Sequence, residues 1–328
     1  MMLSRSLLVP IVISVSLTAC DTSSFTQADT REPTSVAQFD RWMEEYSNWG
    51  RWGSDDEVGA ANLITDAKRL EAAALITTGE TVSLSHDFLT EEADDVHEPY
   101  VLQMTVNKEG QNSGDRVEVY FHGVTYSHLD GLCHVFYNDK VYNGADFSDV
   151  VTDEGCSKMD TTKMKDGLVT RAVLVDIPLL KDVPYLDPGT TVYPEDLEAW
   201  EEYAGIEVGP GDALLLRTGR WARRAVTGAT GVMSGWDASV IPLLAERDIA
   251  LLGADAVHEA PDSVPGLSVN PIHRFAIVAR GVNLLDNLDL DAVAETAVRL
   301  NRWEFMLVVA PLRVRGGTGS PVNPIAIF

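Results

Sequence analysis

Apolar residues at three- and four-residue spacing mark the first periodic segment: Phe39, Trp42, Met43, Tyr46 and Trp49 line one face of a predicted helix. A second helical stretch opens at Thr65 and Asp66, sets Leu70, Ala73, Ala74 and Ile76 on one face, and closes at Gly79. Strand-like runs follow at 100–106 (YVLQMTV), 116–122 (RVEVYFH), 171–177 (RAVLVDI), 212–218 (DALLLRT), 249–255 (IALLGAD) and 305–310 (FMLVVA). Helical patterns at 194–204, 237–247, 271–280 and 289–300 lie between the later strands. Pro194 and the acidic residues after it suit a first helical turn. Strands interspersed with helices indicate an α/β fold. The alternation runs on without a second linker or a repeat, which gives one domain over residues 36–328.

The first twenty residues follow other rules. Arg5 precedes an apolar run from Leu7 to Leu17 that is too short to span a bilayer and has the form of a secretory signal. Leu17-Thr18-Ala19-Cys20 resembles a bacterial lipobox, which implies a signal peptide over 1–20 and lipid on Cys20. Residues 21–35 are polar and aperiodic, as a flexible tether would be. The expected location is the periplasmic side of the bacterial cell envelope, with the membrane reached only through that lipid.

Composition narrows the partners. The 328 residues carry a formal charge of −25, which excludes a phosphate-binding surface for nucleic acid and disfavours adhesion to anionic lipid. A small-molecule substrate is the expected partner. With Cys20 assigned to lipid, Cys133 and Cys156 remain of the 3 cysteines, too few for a disulfide framework. Cys133 reads as a buried thiol, with pairing in an oxidising periplasm as the alternative.

Chemistry concentrates in "YSHLDGLCHVFYN", residues 126–138. Strand alternation from 116 onward puts Val117, Val119 and Phe121 on one face and Tyr120, His122, Val124, Tyr126, His128 and Asp130 on the other. Neighbours two apart on a face sit about 6.5–7 Å apart at Cα, near enough for an imidazole and a carboxylate to meet on one ion. A turn at Gly131 returns His134 to the group. Mixed nitrogen and oxygen donors suit Zn²⁺ or Mn²⁺.

The segment His128-Leu-Asp130-Gly-Leu-Cys-His134 resembles the second half of the motif H-x-G-T-H-x-D-x-x-x-H of the metal-dependent cyclase superfamily, which includes bacterial kynurenine formamidases and isatin hydrolases. Segments 211–221, 251–257, 273–290 and 317–328 also occur in that family's order. The resemblance implies a mixed β-sheet closing into a barrel-like core flanked by helices. It implies metal ligation by His128, Asp130 and His134, with a later acidic ligand at Asp286. His273 would be a ligand or the base for the attacking water, with His134 beside it as a second catalytic histidine. Two departures matter. Asp286 is one methylene shorter than the family's Glu, and Val124 stands where the family has its first His. His122 replaces that ligand only if the strand bulges, so one metal per chain is expected.

Tyr126, Arg217 and Trp221 are candidate substrate contacts. His258 has a smaller claim on the site, and Asp255 is as well read as structural. His86 and His97 read as surface residues, Phe136 and Tyr137 as core packing. The implied activity is arylformamidase-like hydrolysis of an N-formyl, lactam or imide bond in a small aromatic substrate. Alternatives are cyclisation or dehydration of another small acid, or metal or solute binding without turnover. The family implies a dimer or larger homo-oligomer. Cys20→Ser tests the lipid anchor: the substituted protein leaves the membrane fraction, and the wild-type N-terminus carries acyl mass. A membrane-bound variant together with a lipid-free wild-type N-terminus would contradict the assignment.

Overall fold

The runs of Val, Leu and Ile in the second half of the chain build the middle of one nine-stranded sheet in a computed structural model that describes residues 31–328. Its strands are β1 (Thr81–Ser83), β2 (His128–Asp130), β3 (Leu168–Asp176), β4 (Ala213–Arg217), β5 (Leu251–Ala254), β6 (Asn283–Asp286), β7 (Glu304–Val309), β8 (Gly319–Pro321) and β9 (Ile325–Ile327). They stand in the order β1-β9-β7-β3-β4-β5-β6-β2-β8. The central strands β3 to β6 are parallel, and the strands on either side are antiparallel. Parallel neighbours need long crossovers, and helices supply them. Pro194–Ala204 lies between β3 and β4, Arg220–Thr227 and Ile241–Arg247 between β4 and β5, and Pro271–His273, continued by π-helical Arg274–Arg280, between β5 and β6.

Burial on both faces explains why β3 to β5 are almost wholly apolar rather than alternating. Val173 to Val175, Leu214 to Leu216, Leu251 and Leu252 are fully buried. The sheet curls into a half-barrel flanked by helices, the mixed α/β core that the sequence leads one to expect. Pro33–Phe328 forms one compact unit. Signal peptide, Cys20 and most of the tether lie outside the described residues.

Three expectations need correction. Asp66–Ala74 is a helix, but Leu70 is 72% exposed and Ala72 is its buried residue. Lys68 lies on the same side as Ala72 and meets the buried Asp212 of the sheet at 2.6 Å, so an ion pair helps fix the rotation of this helix. The second strand-like run ends early. Val101–Asn107 and Asn112–Glu118 form a hairpin exposed along its whole length, so its alternating residues cover no core. Cys133 is buried as expected but is no free thiol, because it is bonded to Cys156.

Asp255 ends the β5 run as a structural cap. Its buried carboxylate accepts the Thr218, Gly219 and Arg220 backbone N–H groups and the Thr218 hydroxyl, fixing the turn from β4 into helix 220–227. Asp255→Ala strands those donors, and unfolding by denaturant should show a loss of about 2–4 kcal/mol.

Candidate metal centre

Register builds the site. β2 pairs antiparallel with β6, with His128 opposite Asp286 and Asp130 opposite Leu284. Residues two apart share a face, so His128, Asp130 and Asp286 converge on one side of the pair. All three are buried, and their ligand atoms lie within 4.8 Å of one another. The Nδ1 of His128 lies 2.8 Å from the Tyr126 carbonyl, which can only accept. That nitrogen therefore carries the proton, and Nε2 turns a lone pair toward Asp130 at 3.4 Å.

A second group, His122, Asp130 and His134, shares Asp130 with the first. His122 was expected to stay outside unless its strand bulged. The backbone in fact leaves the strand at Glu118, and Gly123 adopts φ 151°. His122 swings in, with Nδ1 3.2 Å from Asp130, Nε2 2.9 Å from the Thr318 hydroxyl, and its ring stacked 3.9 Å from His134. Gly319 is required there, because a Cβ would lie 2.6 Å from the His122 ring. The bend is held by Asn287, next to Asp286, whose amide donates to the Gly123 carbonyl at 2.7 Å. Arg220 bonds the Asn287 side chain and the Val124 carbonyl, and pairs with buried Asp95.

His273 is held between two carboxylates. Its Nδ1 lies 2.7 Å from Glu259 and its Nε2 3.2 Å from Asp286. Carboxylates only accept, so both ring nitrogens donate and the ring is an imidazolium. Burial opposes that charge, but Glu259 and Asp286 outweigh it and hold the pKa well above the usual histidine value. At His134 burial wins over the attraction of Asp130, and the pKa falls to about 4. Burial would raise Asp130, yet His134 and His122 hold it well below the usual carboxylate value. Asp286 is held down chiefly by the positive charge of His273.

The donors present fit a divalent cation. Both oxygens of Asp130 and Oδ1 of Asp286 are buried without a hydrogen-bond partner, although imidazoles crowd them. Unsatisfied buried carboxylates are costly, and a cation removes the cost.

The other candidates are placed elsewhere in function. The Tyr126 hydroxyl donates to the carbonyls of Leu89 and Glu98. The Arg217 guanidinium pairs with Asp176 and Asp291. The Trp221 indole N–H donates to the Leu288 carbonyl at 2.8 Å. None has its polar group free for substrate. His97 is exposed, as expected, whereas His86 is half-buried and bonded to the Thr125 carbonyl. Tyr137 packs edge-on against Phe39, and Phe136 is 40% exposed.

The family model described as "Putative cyclase" matches residues 59–260. The chain belongs to this family. A crystal structure described as a novel cyclase is similar at TM-score 0.76 and 27% identity, over 87% of this chain and 99% of the other. Isatin hydrolase A from Ralstonia solanacearum gives TM-score 0.52 at 19% identity, over 75% of this chain and 91% of its own. Isatin hydrolase A from Labrenzia aggregata, bound to benzyl benzoate, gives 0.54 at 19%, over 80% and 98%. These hydrolases share the fold. Curated proteins give no match.

Within this cyclase-family site, no sequence motif points to Glu259, and strand alternation alone does not bring in His122 or His258. Asp130 is common to both ligand groups, so Asp130→Ala should abolish divalent-ion binding in titration calorimetry. His122→Ala should weaken it roughly 10–100-fold. Unchanged affinity in the Asp130 variant would remove the metal assignment.

Proposed function

We propose that this cyclase-family protein is a metal-dependent hydrolase that opens an amide, lactam or imide bond of a small substrate. The observation that carries the reading is His273, an imidazole held between Glu259 and Asp286 beside carboxylates that lack hydrogen-bond partners. The likeness to isatin hydrolases supports it at the level of fold. His128, Asp130 and Asp286 would hold the ion, Zn²⁺ or Mn²⁺. Such an ion, when bound, lowers the pKa of a water and polarises a carbonyl.

The chain's own groups then manage protons. The neutral form of His273, which is reached only as pH rises past its elevated pKa, accepts the proton of the attacking water at Nε2. Glu259, 2.7 Å from Nδ1, stabilises the imidazolium that results. The same imidazolium gives the proton to the departing nitrogen, which would otherwise leave as an unstable anion. Glu259 also forms part of the wall of a cavity of about 510 Å³ lined by Val124, Val232, Met233, Val257 and Leu267. Asp262, Ser263, Ser268 and Asn270 share this wall, so it offers a compact substrate both apolar and polar contacts.

Hydrolysis of N-formyl aromatics, isatin and cyclic imides should stop after chelation and return with added Zn²⁺ or Mn²⁺. His273→Ala should lower kcat by about 10²–10⁴-fold while ion binding persists. A base works only when neutral, so kcat/KM must fall as pH drops through the His273 pKa. Removing the Glu259 charge lowers that pKa, so Glu259→Gln should move the acid limb to lower pH. An unmoved limb would assign the titration to another group. A fully metallated protein without turnover of any amide, lactam or imide would leave binding as the function.

A further inference from the structure

His258 is fully buried, and neither ring nitrogen has a hydrogen-bond partner. Its Nε2 nevertheless lies 3.0 Å from Oδ1 of Asp286, another buried atom without a hydrogen bond. Two buried polar atoms this close without a formed hydrogen bond are left unsatisfied unless a proton or a cation sits between them. The contrast with His273 is direct. That ring makes a formed hydrogen bond to the other oxygen of Asp286, so it holds a proton there. His258 makes none. Nitrogen and oxygen ligands each bonded at about 2.0–2.2 Å to one ion stand roughly 3 Å apart.

The backbone goes to some expense to place the ring. His258 has φ 65°, a left-handed conformation that non-glycine residues adopt at a cost. The conformation has a use. In an extended segment successive side chains point to opposite sides, yet here His258 reaches Asp286 while Glu259 reaches His273. The loop is held in place by the Trp236 N–H, which donates to the His258 carbonyl at 2.6 Å. Gly235 permits that approach, since a Cβ would lie 2.3 Å from the same oxygen. Val257 and Glu259, on either side of His258, line one cavity together with Val124, the position that lacks the family's histidine.

We propose that His258 is a metal ligand, bound through Nε2 to the ion that Asp286 holds, and that it makes good the nitrogen lost at Val124. The proposal rests on the metal-centre reading above. Asp286 would link His258 to His128 and Asp130, whose ligand atoms lie within 4.8 Å of its own, and imidazoles beside carboxylates suit Zn²⁺ or Mn²⁺.

The test needs no substrate. Chelator competition gives the affinity of the metal-free full chain for Zn²⁺, and the visible spectrum of the Co²⁺-loaded protein reports its ligands. His258→Ala should weaken Zn²⁺ by more than about 100-fold, beyond the 10–100-fold that loss of an outer partner costs. It should change the Co²⁺ spectrum, and added imidazole should restore both. His258→Gln, which keeps a polar group of similar reach, guards against a folding defect and should show the same spectral change. An unaltered Co²⁺ spectrum in both variants, or affinity loss below 100-fold with no imidazole rescue, overturns ligation by His258. Wild-type protein that binds neither ion overturns the metal centre itself, and the proposal with it.

Discussion

The pairing of β2 with β6, which sets His128 across from Asp286, is the constraint on which the rest of the site depends. A shift of one residue would turn His128 and Asp130 to the other face and dismantle the ligand set. The register is held from several directions. Pro321 of β8 pairs with His128 on its other side, and the Asn283 amide donates to the Asp130 carbonyl at 2.8 Å. The Ser127 hydroxyl donates to the Asn287 carbonyl at 2.8 Å. Hydrogen bonds buried in this way resist slippage because breaking one strands its partner away from water.

That geometry creates an electrostatic problem and also its solution. Asp130, Asp286 and Glu259 are brought together out of water, where like charges repel strongly. His273 answers locally, as a cation shared by Glu259 and Asp286. The oxygens of Asp130 have no such formed hydrogen bonds. On the proposed reading the protons divide the labour: nitrogens that donate to carboxylates would manage proton transfer, and nitrogens that lack hydrogens would suit an ion.

The fold was legible where packing is one-sided or periodic. The buried runs of β3 to β5 and the helix 194–204 follow directly from apolar pattern and the proline at its start. His128 and Asp130 could be located because a short motif fixes their spacing, and Asp286 because the family resemblance sets an acidic residue before Asn287-Leu288. The remaining features depend on contacts that periodicity does not encode. Helix 66–74 is rotated by the Lys68–Asp212 ion pair, which leaves Leu70 in solvent. His122 joins the cluster because the chain bends after Glu118, which strand alternation cannot foresee. His258 and Glu259 reach the same centre only through a left-handed residue, a conformation that glycine, asparagine or aspartate can announce in a sequence but a histidine does not. Arg217 and Trp221 have polar groups suited to a ligand, yet neighbours already engage them.

The segments that meet at the centre come from distant parts of the chain, residues 122–134, 258–259, 273 and 286. Their convergence requires β2 to pair with β6, as in the hydrogen bond between Asn283 and Asp130, which are 153 residues apart in sequence. Such pairings close large loops and form late in folding. An incomplete chain, or one collapsed without this pairing, would offer scattered histidines and carboxylates and no cage. Ion capture is therefore confined to the finished fold, and an ion bound only there adds its binding free energy to the stability of the native state by mass action.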